Sequence, residues 1–305
     1  MKSEYKTLGT SQNSLIKKIR SSEIFYNYKH NLPGIIGSVI FVVTILIAII
    51  GPFFTPQNPY NLVDISLSNS YLPPAWVEGG TIRFLLGTDG QGRDILSAII
   101  YGSRLSLFIS ITAMILSCTF GILAGLIAGY YGGKIESILM RITDIQLSFP
   151  ATLLAIFIMT VFGRGVDKVI VALVLVGWVR YARTVRGEVL REKTREYVDA
   201  SKTIGLFDRA IMFKHILPNT LTPVVVLSTI QVGTFILTEA TLSFLGVGVE
   251  ITKPSLGLLV KNGFDVMFSG CWWISVFPGL YIMIIVFGIN LLGDFLRDEL
   301  NPKLK

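Results

Sequence analysis

The sequence predicts an all-α polytopic membrane protein with six transmembrane helices, cytosolic N- and C-termini and a pair of charged cytosolic helices between two spans. Three observations predict it. Of 305 residues, 51% are hydrophobic and 15% charged, whereas a soluble domain carries roughly a quarter charged residues. Uncharged apolar runs long enough to cross a bilayer recur along the chain. The basic residues, which give a formal charge of +7, gather in alternate connecting segments. That is the signature of membrane orientation rather than of nucleic-acid binding.

Residues 1–34 form a polar, basic cytosolic tail with Lys2, Lys6, Lys17, Lys18, Arg20 and Lys29. It is too long and too polar for a cleaved signal peptide. Residues 35–54 are uncharged, ~20 residues and enough for one span, and Gly51-Pro52 and Pro56 end that helix. An external loop over 55–104 is rich in proline and glycine. Its Phe84-Leu-Leu-Gly-Thr-Asp-Gly-Gln-Gly-Arg-Asp94 stretch lacks the Gly-Lys-Ser/Thr ending of a phosphate loop, and Gly132-Gly133-Lys134 is followed by Ile135. The chain is therefore not expected to bind ATP itself.

The main membrane core is expected over 105–293, as five helices. Leu105 to Tyr131 is uncharged, with Ser106, Ser110, Ala113, Ser117, Gly121, Ala124, Gly125 and Ala128 at three- and four-residue spacing, a face for close helix contact in lipid. A third span is expected over 138–162, with Arg141 and Asp144 placed to pair on one face and Pro150 inside it. A fourth lies over Val166–Tyr181, its Lys168 and Arg180 snorkelling outward. The fifth runs from Leu221 to Phe244 and carries Glu239; the sixth, Ile274 to Gly293, is uncharged and follows the interfacial pair Trp272-Trp273. A short cytosolic tail, 294–305, closes the chain.

With the N-terminus in the cytosol, the N-terminal tail, the 132–143 turn, the 180–220 loop and the C-terminal tail hold 20 of the 27 Lys and Arg residues. That asymmetry places the 182–220 loop on the side where ATP is found. Within it, Glu196 to Thr203 carries good helix formers and no breaker. Gly205 takes a left-handed backbone without cost and should end this helix. Asp208 can cap a second helix, whose apolar Ile211, Met212, Ile216 and Leu217 follow helical spacing, and Pro218 marks a break before the next span. A valine at 205 is expected to suffer both from positive φ and from bulk between the two helices. A charged helix-turn-helix between two spans suits contact with a soluble partner; an ordinary basic loop is the plainer reading.

Here a family resemblance becomes specific. Glu196-Tyr197-Val198-Asp199-Ala200, Gly205 five residues on, and Leu217-Pro218 resemble the EAA loop of bacterial ABC importer permeases, with Asp199 in place of the first alanine. Leu86-Gly-Thr-Asp-x-x-Gly-Arg-Asp94, Thr241-Leu-Ser-Phe-Leu-Gly246, Trp272-Trp-Ile-Ser-Val-Phe-Pro-Gly279 and the terminus Asn290-Leu-Leu-Gly-Asp-Phe-Leu-Arg-Asp-Glu-Leu-Asn-Pro302 are similar to the peptide and nickel branch of that family. The tryptophan usual near Leu256 in that branch is missing. The resemblance runs from Ile35 to Lys305 and implies the C-type permease of a dipeptide or oligopeptide importer in a bacterial cell membrane. It implies a second homologous permease, two ATP-binding subunits that hold ATP and Mg, and an external solute-binding protein. It also implies that Glu196, Tyr197, Asp199, Ala200, Gly205, Leu217 and Pro218 form the ATPase-coupling surface. Nickel, a metallophore complex or glutathione is the alternative cargo.

Other classes fare worse. Cys118 and Cys271 stand alone, and His30 and His215 are the only histidines. Disulfide frameworks and metal sites therefore have no basis here, and little histidine chemistry remains. A membrane enzyme would have to rest on Asp144 and Glu239, acids on different helices. A channel or ion-coupled carrier is the third reading. Asp144 and Glu239 are instead the candidates for a translocation path or gate, the path itself lying between this chain and its partner permease. Three readings of Glu239 are open: it lines the path, it bonds to a neighbouring helix or subunit as a gate, or it reaches the outer headgroups. Thr238 and Thr241 flank it and can bond to it.

Overall fold

The computed structural model describes residues 23–61, 64–250, 252–253 and 255–300; most of the expected N-terminal tail and the last five residues lie outside them. Helix α1 (Glu23–His30) leads into α2 (Leu32–Ile50). Asn31 caps α2, its side chain accepting from Gly34 N at 2.8 Å, with Pro33 inside the first turn, where a missing N–H costs nothing. This first span lies against the last helix, α11 (Trp273–Leu300). A Cβ on Gly37 would stand 2.7 Å from Gly288 O, and one on Gly288 would stand 2.4 Å from Ile40 Cγ2, so two glycines set how closely these helices approach.

The second span begins earlier than its uncharged run. Helix α3 (Ile95–Tyr131) starts inside the stretch 55–104 expected as loop, where the Asp94 side chain accepts from Ser97 N at 2.8 Å and caps it. Charges at Arg104 and polar residues before it concealed those first turns. The small residues of α3 meet α6 (Val166–Glu192): Gly121 faces Tyr181, Gly125 faces Ala182 and Val185, and Gly129 faces Val189. The expected close-contact face is thus used within the chain.

The expected third span is broken. Helix α4 (Gly133–Leu147) and helix α5 (Ala151–Phe162) are bent by 91° at Ser148-Phe149-Pro150. Proline offers no N–H and pushes the residue before it out of the helical region. The Arg141–Asp144 pairing is replaced by a bond across helices, from Arg183 of α6 to Asp144. The fourth span also differs: α6 runs on past Tyr181 to Glu192, absorbing the start of the loop expected over 182–220. Arg180 does not snorkel to the headgroups; its Nη1 donates to Gln231 Oε1 at 3.3 Å.

Helix α7 (Glu196–Thr203) and α8 (Asp208–Ala210) follow, then a π-helical segment (Ile211–Ile216) that passes directly into α9 (Leu217–Phe244). The break expected at Pro218 is absent. Leu217 N reaches back to Met212 O across the wider π turn, and Pro218 falls at the changeover, where its missing N–H does least harm. The carbonyl of His215 is met instead by Asn219 Nδ2 at 2.8 Å. Helix α10 (Leu256–Phe264), capped by Ser255, precedes α11.

By length and composition, four helical segments among the described residues can cross a membrane, or five if the bent α4–α5 pair counts as one. The remaining expected span, in α6, is not among them: Asp167, Lys168, Arg180, Arg183 and Arg186 leave it only a short uncharged run. The core consists of three buried clusters. One includes Ile95, Ile99, Leu256, Ile274 and Ile289, and a second Ile109, Met159, Leu173 and Leu242. The third joins Val198 of α7 to Leu126, Tyr181, Ile211 and Ile216.

Candidate functional site

Helix α7 carries Glu196 and Asp199 in its first turn and Lys202 in its last, the order that suits the helix dipole. Its inner face is fixed by Val198, fully buried, and by Ser201. Its end is closed by two backbone bonds, Gly205 N to Lys202 O at 2.9 Å and Leu206 N to Ser201 O at 3.1 Å. This is the paired arrangement that needs a left-handed residue, and Gly205 supplies it at φ +78°. A Cβ there would meet nothing within 4 Å, so the expectation of steric bulk between the helices is corrected: only the backbone angle demands glycine.

Asp208 is not the cap expected of it. Phe207 holds that position, and Asp208 Oδ1 instead accepts a 2.6 Å bond from the Tyr130 hydroxyl at the end of α3. The seven predicted coupling residues divide into two groups. Glu196, Asp199, Ala200, Gly205 and Pro218 are exposed. Tyr197 and Leu217 are half-buried and hold the element from within. The Tyr197 hydroxyl donates to Glu192 Oε2 at 3.0 Å and accepts from Asn219 Nδ2 at 3.3 Å. Burial pushes the Tyr197 phenol up; Asn219 opposes that and the Glu192 carboxylate adds to it, so the hydroxyl remains a proton donor. Sequence reasoning missed Glu192, Asn219, Tyr130 and Lys193, whose ammonium caps Tyr130 O and lies over its ring. None carried a motif signal; each acts through a contact distant in sequence.

Apolar side chains flank the outward edge. Ile204 is 75% exposed and Phe207 84% exposed on the turn between α7 and α8. Exposed apolar groups set among charges on a rigid turn mark a contact surface.

The two predicted pathway acids are not brought together. Asp144 lies on the surface of α4 against Arg183. Glu239 of α9 is fully buried. Ser106 of α3 donates to its Oε2 at 2.7 Å and Ser243 of α9 itself to its Oε1 at 2.8 Å. Thr238 and Thr241 turn to their own helix, to Thr234 O and Leu237 O. Full burial removes the headgroup reading. The carboxylate ties α9 to α3 within one subunit.

Comparison with known proteins places this geometry. Residues 121–305 match the family described as binding-protein-dependent transport system inner membrane component. The chain belongs to that family. Residues 21–74 also match the N-terminal transmembrane domain of oligopeptide transport permease C. The dipeptide transport system permease protein DppC of Haemophilus influenzae is 40% identical over 93% of this chain and 95% of its own length. The di/tripeptide transport system permease protein DppC of Pseudomonas aeruginosa is 38% identical over 97% and 96%. The oligopeptide transport system permease protein OppC of Bacillus subtilis is 38% identical over 91% and 88%. In fold, the inward-facing MetNI methionine ABC transporter matches with a TM-score of 0.54 at 21% identity, covering 66% of this chain and 96% of that one. The chain is a multi-pass bacterial inner-membrane permease of the ABC importer class.

Proposed function

We propose that this permease is one membrane subunit of an ATP-driven importer of dipeptides or oligopeptides. The relatives named above are peptide permeases, which favours peptide over nickel, a metallophore or glutathione. Six crossings with both termini in the cytosol follow from the charge asymmetry, provided that α4–α5 and α6 each cross, the arginines of α6 being held by polar partners. Two ATP-binding subunits hold ATP and Mg. A second permease completes the path, and an external binding protein delivers cargo.

The observation that carries the coupling role is the outward edge of α7 and its turn. Glu196, Asp199 and Ala200 face out beside Ile204 and Phe207, while Val198 and Tyr197 lock the same helix to α6 and α9. A helix of this length is ~12 Å long, about the width of one surface groove. A push from an ATPase on that edge passes to α6 through Glu192 and to α9 through Asn219. Glu239 serves as a latch between α3 and α9 rather than as a lining of the path. ATPase measurements on the complex in vesicles test the reading. Loaded binding protein should stimulate hydrolysis, and Phe207→Asp should abolish the stimulation while the chain still inserts. Full stimulation by that variant would overturn the assignment of the edge.

A further inference from the structure

Four arginines line α6 between Arg180 and Arg191. Three have acids: Arg183 pairs with Asp144, Arg186 with Glu136 and Arg191 with Glu188. Arg180 alone has, among the described residues, no carboxylate in ion-pair range. Its hydrogen-bond partner among the described residues is the neutral Gln231, itself 2% exposed. Arg180 is otherwise exposed on the surface of the subunit.

Its depth makes this informative. Gln231 stands midway along α9, about 20 Å from either end. On the other side, Gly121 of α3 packs beneath the Trp178 carbonyl and Tyr181, which sets Arg180 level with the interior of the uncharged run of α3. Both measures put the guanidinium well inside a hydrocarbon core ~30 Å thick. A charge at that depth faces a bundle interior or a water-filled passage, not lipid.

The same face also carries a groove of about 780 Å³ between α6, α9 and α11, lined by Thr184, Glu188, Thr222, Val226, Ile230 and Arg297 among others. Thr184 lies one turn below Arg180 on the same stripe of α6, and Ile230 precedes Gln231. The Arg180–Gln231 pair therefore stands at the membrane-ward end of a groove whose other end lies beside the coupling element. The groove mixes hydroxyls and the charged Glu188, Arg191 and Arg297 with apolar side chains, so it suits a cargo that is charged or polar in backbone and varied in side chain. A guanidinium offers a planar fork of donors that matches a carboxylate.

We propose that Arg180, oriented by Gln231, binds the C-terminal carboxylate of the peptide as it passes through mid-membrane. Arg180 is the specificity-determining group and Gln231 the positioning residue. This rests on the peptide reading of the function.

The test uses the complete complex in vesicles, with labelled alanine peptides of two to five residues and uptake expressed per ATP hydrolysed. Arg180→Gln should lower that ratio about tenfold or more, the loss expected when a charge-assisted hydrogen bond goes. Arg180→Lys, which keeps the charge, should stay within a few-fold of wild type. Gln231→Glu should act like Arg180→Gln, because an internal carboxylate occupies the guanidinium. An unchanged ratio in Arg180→Gln overturns the proposal. So does loss of the second permease from the purified Arg180→Gln complex, which would make Arg180 an assembly contact. No uptake of any of these peptides by the wild-type complex would overturn the peptide reading as well, so the two failures are told apart by the wild-type control.

Discussion

The Tyr197 hydroxyl donates a 3.0 Å hydrogen bond to Glu192 Oε2, joining α7 to the inner end of α6. Because Asn219 of α9 donates to the same hydroxyl, one phenol links the coupling helix to two long helices at once. Tyr197→Phe keeps the ring and removes both bonds, a loss of ~1 kcal/mol per bond. Uptake per ATP should fall several-fold while the assembled complex remains intact. Equal uptake by the variant would mean that packing of Val198 alone holds the element.

Gly205 separates backbone angle from bulk. With open space around its Cβ position and φ at +78°, the cost of a side chain comes from the left-handed conformation, about 1–2 kcal/mol for an ordinary L-residue. Asparagine tolerates that region. Gly205→Asn should therefore couple nearly as wild type, and Gly205→Val should insert but uncouple ATP hydrolysis from uptake. Equal activity of the two variants would show that φ at this turn is not what matters.

Glu239 receives hydroxyls from Ser106 and Ser243. Glu239→Gln keeps the shape but replaces one acceptor oxygen with a donor amide, which cannot take both serine bonds unchanged. Basal ATPase activity should rise and coupling should fall, as a latch between α3 and α9 loosens. Weaker apparent affinity for peptide with coupling intact would instead make Glu239 a cargo contact.

Asp94 caps α3 with one oxygen, bonded to the backbone and hydroxyl of Ser97, while its other oxygen is also buried. Burial pushes its carboxyl above the ordinary 3.8, against the pull of the Ser97 bonds. An acid raised by folding binds its proton more tightly when folded, so its contribution to stability declines as pH rises from 3.8 toward the folded value. Asp94→Asn should keep the cap and remove that decline in thermal unfolding, whereas Asp94→Ala should cost ~1 kcal/mol. The same pH slope in Asp94→Asn would assign it to another group.

The parts of the fold that rest on hydrophobic run and local punctuation were legible in the sequence. Helix α7 with its end at Gly205, the small-residue face of α3 and the apolar spacing of Ile211, Met212 and Ile216 all follow from neighbours within a few residues. What was not legible depends on contacts distant in sequence or on competing local effects. Pro150 was expected inside a single span and Pro218 at a break, and the structure reverses the two. Pro150 marks a 91° bend between two helices, while Pro218 is carried through by a π turn and the Asn219 side chain. Asp144 looked paired along its own helix and is paired across to α6. Glu239 had threonines beside it in sequence and serines around it in space, because a helix brings hydroxyls from other segments to its buried face.

The most direct test of the whole account is ATP-driven uptake of labelled alanine peptides into vesicles that hold the complete complex, set beside vesicles that hold this chain alone. The account predicts uptake that needs ATP, the binding protein and the second permease, and none by the chain alone. Peptide uptake by the isolated chain, or an ATP-hydrolysing complete complex that moves no peptide, would contradict it.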